Sequence, residues 1–103
     1  MRFYALEKLI NLHDNYRKVF KIDQHNLLLL QCDGELHLLE SLCPHQGHPL
    51  SEADIVGTEL RCPLHAYHFD IASGALIKAT EEPCRGLKKY ELVYLHTDVG
   101  VML

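Results

Sequence analysis

Cys43-Pro-His-Gln-Gly-His-Pro-Leu50 places a cysteine, two histidines and two prolines in one short run, and Cys62-Pro-Leu-His-Ala-Tyr-His-Phe-Asp70 repeats the theme. Proline lacks a backbone donor and clashes with a preceding helical turn, so neither run suits a helix interior or a central strand. Both read as rigid loops carrying metal ligands, since thiolate sulfur and imidazole nitrogen bind borderline transition metals. One residue separates Cys43 from His45, and two separate Cys62 from His65. The span Gln46 to Arg61 lies between the pairs, so two loops can meet at one point from opposite sides.

Two metal chemistries use this donor set. Two cysteines and two histidines can hold a structural zinc ion in a tetrahedron. They can also hold a [2Fe–2S] centre in which two histidines replace two cysteines on one iron. The mixed pairs fit the second better, because zinc ribbons use paired cysteines two to four residues apart. On that reading Cys43 and Cys62 hold one iron and His45 and His65 the other. Each short pair then straddles the cluster.

The combination C-P-H-x-G-x-P-L with C-P-x-H-x-x-x-F-D resembles the Rieske [2Fe–2S] domain. Leu27 to Leu39 is similar to the hairpin before the first cluster loop of that family, and Ser73-Gly74 to the turn after the second. Pro83, Leu87 and Tyr90 are similar to its proline-bearing segment and following strand. The resemblance covers nearly the whole chain. It implies an all-β fold over residues 1–103, an antiparallel β-sandwich with a small inserted cluster-binding subdomain at about 42–69. It implies one [2Fe–2S] cluster per chain, with the histidines nearer the surface and the cysteines deeper.

Two departures narrow the subclass. Rieske proteins of quinol-oxidising complexes carry an extra cysteine in each loop, joined as a disulfide; the similar positions here hold His48 and Leu64. Those proteins also place a serine and a tyrosine near the cluster as donors to sulfur, where this chain has Tyr67 and Phe69. Hydrogen bonds to sulfur stabilise the more negative reduced cluster, so fewer of them imply a potential at the low end of the Rieske range of about −150 to +300 mV.

The elements that must position these loops follow from pattern. Arg17 to Asp23 alternates raggedly and allows a strand. Leu27 to Cys32 and Glu35 to Glu40 flank Asp33-Gly34, a strong signal for a two-residue type I′ hairpin turn. Thr58 to Cys62, Tyr67 to Ile71 and Gly74 to Lys78 read as short strands, and Lys88 to Leu95 with Val99 to Leu103 as a terminal strand pair. Leu6 to Leu12 offers a helical turn or two. Many short strands with regular turns indicate a sandwich or barrel.

Composition agrees. The chain has 103 residues, 48% hydrophobic, with a formal charge of −4. That is one domain with enough apolar content for a core, and no basic stripe for nucleic acid. The longest leucine run, Leu27 to Leu30, is too short to cross a bilayer. The first residues lack the pattern of a secretion signal, so a cytoplasmic protein with reduced thiols is expected.

The remaining candidates have plainer readings. Cys32 is expected as a buried inert thiol, and Cys84 as a semi-exposed thiol in the segment covering the cluster. His48 and His68 flank the ligands without replacing them; His13, His25, His37 and His96 have no ligand spacing. Asp70 is expected to bond backbone amides, and Gly47 and Gly74 to allow tight turns. No nucleophile–base trio or phosphate-binding glycine loop is present, so the chain is not expected to be an enzyme. The resemblance implies a one-electron carrier between a flavin-dependent reductase and a terminal oxygenase. Its alternatives are a small subunit of a larger reductase, such as nitrite reductase, and a zinc-binding interaction module.

Overall fold

Leu27 to Leu30 is buried at every position, which one half-buried strand cannot explain. A computed structural model describing residues 1–103 gives the reason. Strand β3 (His25–Cys32) lies inside a sheet that is covered on both faces. Leu27 and Leu29 pack with Leu6, Leu38 and Val101 on one side. Leu28 and Leu30 pack with Leu39, Leu50, Leu60, Phe69 and Ile71 on the other. Side chains alternate across a strand, so two apolar layers need an unbroken apolar run.

All strand pairings are antiparallel. The middle sheet joins β2 (Arg17–Ile22), β3, β4 (Glu35–Glu40) and β9 (Lys89–Tyr90) in that order. The outer sheet joins β1 (Phe3–Lys8), β11 (Asp98–Met102) and β10 (Val93–Leu95). A third sheet, β5 (Asp54–Val56), β6 (Glu59–Arg61), β7 (His68–Asp70) and β8 (Leu76–Lys78), runs as a simple meander. It is inserted between β4 and β9, which pair with each other through Leu38–Tyr90 and Leu39–Lys89. The insertion therefore leaves and re-enters the sandwich at adjacent strands. The β-sandwich with an inserted unit expected from the sequence is the observed architecture.

The β3–β4 turn is as expected: Asp33 has φ 51° and Gly34 φ 77°, the two positive values a type I′ turn requires. Asp14 accepts a hydrogen bond from the Gly34 amide at 2.9 Å and fastens the turn.

Two sequence expectations need correction. Leu6 to Leu12 is not helical beyond one 3₁₀ turn at Leu9–Asn11; Phe3–Lys8 is a strand paired with β11. The missed signal is the partner, since β1 gains its hydrogen bonds from the far end of the chain. Lys88 to Leu95 is not one strand either. It divides into β9, which closes the middle sheet, and β10, which pairs with β11 in the outer sheet. The segment Leu50–Glu52 forms a second 3₁₀ turn, held by Arg17, whose guanidinium donates to the carbonyls of Ser51 at 3.0 Å and Ala53 at 2.6 Å.

Candidate metal centre

The two motif loops are built alike. Cys43 donates its amide to the His48 carbonyl at 2.8 Å, and Gly47 donates back to the Cys43 carbonyl at 2.7 Å. In the second loop Cys62 donates to Tyr67 at 2.8 Å, and Ala66 back to Cys62 at 2.9 Å. Each turn needs a left-handed residue four positions after its cysteine. Gly47 fills that place at φ 74°, and Ala66 fills it at φ 56° despite its β-carbon. Satisfied backbone groups let both loops stay rigid where no ladder continues.

Cys43 and Cys62 are 3% and 2% exposed, carry free thiols and belong to the core that joins the third sheet to β3 and β4. Burial pushes the Cys62 thiol above its ordinary range, against a hydrogen bond from the Leu64 amide, and the adjoining Cys43 adds to the rise. The imidazoles lie nearer the surface, with side chains 14% exposed at His45 and 33% at His65. Their ring centroids are 5.1 Å apart, edge to face. The structure thus brings all four candidate ligands onto two facing loops, with sulfur inside and nitrogen outside.

A donor set of two sulfurs and two nitrogens on paired loops fits a cluster held by two cysteines and two histidines. A direct sign of fit is His65, whose Nδ1 is buried and has no hydrogen-bond partner. An orphaned buried nitrogen costs free energy unless something binds it.

The surroundings contain Tyr67, already noted in the sequence, and Thr80, Glu81 and Glu82, which sequence reasoning did not single out. Tyr67 is fully buried and its ring stacks on His45 at 4.3 Å between centroids, 12° from parallel. Its hydroxyl donates to the Glu82 carbonyl. Thr80 donates its hydroxyl to the His65 carbonyl. Glu81 lies between the imidazoles, 3.2 Å from His45 Nε2 and 3.7 Å from His65 Nδ1. The segment from Thr80 to Leu87 is therefore a strap across both loops, closed at its far end by the Leu87 amide on the Gly74 carbonyl at 2.7 Å. The available signal was the acidic pair Glu81-Glu82 ahead of Pro83.

The other candidates fall as follows. Cys84, on the strap, is half-buried against the site core; burial and the nearby Cys43 raise its thiol above the ordinary range. Cys32 is half-buried rather than fully buried, because it sits at the open end of β3, and its thiol is raised by burial and by Asp33 and Glu35. His68 is paired with Glu59 at 2.9 Å. His48 Nε2 is buried without a hydrogen-bond partner. Asp70 accepts from the Ser73 amide at 2.9 Å, as expected. Phe69 is buried in the core and brings no donor.

Comparison with known proteins gives a consistent picture. The model of the family described as the Rieske [2Fe–2S] domain matches residues 2–91. The ferredoxin component of the naphthalene 1,2-dioxygenase/salicylate 5-hydroxylase systems of Ralstonia sp. is 32% identical over 54 residues, 52% of each chain. The chain spans about half the length of the curated relatives it matches. Among solved structures, the Sphingomonas yanoikuyae B1 ferredoxin superposes with a TM-score of 0.81 at 27% identity, covering 97% of both chains. A chain in the complex of reduced oxygenase and oxidized ferredoxin of carbazole 1,9a-dioxygenase shares the fold, with a TM-score of 0.81 at 19% identity over 96% of this chain and 91% of that one. No helix is long and apolar enough to cross a membrane.

Proposed function

This chain belongs to the Rieske [2Fe–2S] domain family, and from that we propose that it carries single electrons from a flavin-dependent reductase to a terminal oxygenase. Residues 1–103 form one domain, whose cluster-binding part runs from about 42 to 69. One cluster would be held here, by Cys43 and Cys62 through sulfur on one iron and by His45 and His65 through nitrogen on the other. When bound, such a cluster supplies a reversible one-electron couple. The observation that carries this reading is the pair of buried free thiols beneath two imidazoles that lie nearer the surface.

The chain's own groups then have distinct tasks. Burial keeps solvent from the cysteine sulfurs. The stack of Tyr67 on His45 fixes one ring, and the strap fixes the backbone of the other at His65. The imidazoles of His45 and His65 lie between the buried sulfurs and the surface, so a cluster held here would be nearest a partner on their side. The ferredoxin components among the relatives support this role, as does the solved ferredoxin–oxygenase complex with the same fold.

A reconstitution tests it. The chain is mixed anaerobically with NADH and the reductase of a naphthalene or carbazole dioxygenase system, and its visible absorbance is followed. Bleaching, then recovery on adding the oxidised oxygenase of that system, is expected. A chain that dithionite reduces, but that exchanges electrons with no reductase and no oxygenase, contradicts the carrier assignment.

A further inference from the structure

We propose that Glu81 sets the reduction potential of the site, its carboxylate lying against the imidazoles of His45 and His65 and favouring the oxidised form. This deepens the reading above and rests on its assignment of His45 and His65 as ligands. Oε1 of Glu81 is 3.2 Å from His45 Nε2 and 3.7 Å from His65 Nδ1, and one ligand-type atom from each of the three residues falls within 4.8 Å of the others. Neither motif loop contributes this carboxylate; it arrives on the strap.

Its position is held on both sides. Thr80 donates to the His65 carbonyl, and the Glu82 carbonyl accepts from Tyr67, whose ring stacks on His45. Glu81 therefore sits on backbone fastened to the second ligand loop by the residue before it and by the residue after it, and its carboxylate reaches His45 on the first. The His45 ring is mostly buried while Glu81 is half exposed, so the contact lies at the boundary between core and water.

The consequence is electrostatic. A negative charge beside imidazoles that hold a metal favours the more positive, oxidised state of that site. Reduction adds negative charge to the site. A carboxylate at hydrogen-bond distance opposes it, less strongly than in a dry interior because water reaches Glu81. Neutralising Glu81 therefore makes reduction easier.

The test compares anaerobically purified wild type, Glu81→Gln, Glu81→Asp and Glu82→Gln by redox titration at low ionic strength. Iron content and the electron paramagnetic resonance spectrum of the reduced form are recorded for each. At a fixed ambient potential, Glu81→Gln is expected to raise the reduced-to-oxidised ratio about tenfold, which is about 59 mV for a one-electron couple. Glu82→Gln removes the same charge one residue away, where it forms no ion pair with either imidazole, and is expected to shift the ratio far less. Glu81→Asp keeps the charge but shortens its reach and falls between. If Glu81→Gln does not retain iron, the Glu81→Asp shift decides, and an unchanged ratio there overturns the inference. A loaded Glu81→Gln protein within ~1.5-fold of wild type also overturns it, as does an equal shift from Glu82→Gln. In each of those cases a normal wild-type cluster signal leaves the ligand assignment standing. A wild type without iron overturns both.

Discussion

Cys43 and Cys62 differ from Cys32 and Cys84 both in burial and in what stands beside them, a partner thiol and an imidazole two or three residues on. Substituting serine for either Cys43 or Cys62 is expected to reduce bound iron to a small fraction. His48→Ala and His68→Ala are expected to keep it, since His68 is already paired with Glu59. Iron analysis of the purified variants separates ligands from neighbours. Ala66 gives a second prediction. It holds a left-handed backbone that disfavours a β-carbon by about 1 kcal/mol. Ala66→Gly should therefore raise the unfolding free energy by up to about 1 kcal/mol before glycine's extra chain entropy is subtracted, read as a higher denaturant midpoint. A lowered midpoint would mean that the turn is not as described. His37 gives a third. It is 7% exposed, and burial, with Lys89 at 3.4 Å from Nδ1, holds its pKa below the usual 6.5, against a weaker opposite pull from Glu35 and Asp70. Below about pH 6.5 the unfolded chain then binds a proton that the folded chain refuses. Stability from this residue is full above that pH and falls as pH drops. Urea midpoints at pH 7.5 and 5 should differ less in His37→Gln than in wild type.

The strands show what sequence can and cannot reveal. The β3–β4 hairpin was legible because its turn chemistry is local: Asp33-Gly34 alone dictates positive φ at both positions. The four proposed ligands could be put forward from the sequence because their spacing is local too. Glu81 was not, because its contacts with His45 and His65 exist only once the strap folds across the loops. Strand β1 was not, because its pairing with β11 joins the two ends of the chain. The leucine run hid its meaning in the same way, since two buried faces require a second and a third sheet. That parity predicts different outcomes for neighbouring leucines. Leu28→Ala and Leu29→Ala should each cost about 2–5 kcal/mol. Leu28 packs in the core that contains Cys43 and Cys62, so its loss should also speed iron release. Leu29 packs on the sandwich side, so its loss should leave iron retention closer to wild type. Iron release rates that follow stability alone, regardless of face, would contradict the division into two cores.

The whole molecule is two cores back to back on one middle sheet, one purely structural and one that ends at the proposed metal ligands. A bound group that the folded state alone can hold stabilises that state by mass action. Removing the iron is therefore expected to lower the melting temperature. The resulting rise in hydrogen exchange should concentrate in the two loops, the strap and β5 to β8, while β1, β3 and β11 keep their protection. The potential belongs to this scale as well. The Tyr67 hydroxyl is committed to Glu82, Phe69 has no hydroxyl, and a carboxylate faces the outer ligands. All three favour the low end of the Rieske range. The most direct test of the central claim is the metal and sulfide content of the anaerobically purified protein, together with the electron paramagnetic resonance spectrum after dithionite reduction. Two irons and two labile sulfides per chain, with the low average g-value of a cluster ligated by two histidines, is the predicted result. Stoichiometric zinc with no such signal would contradict it and leave the two loops as a structural clamp.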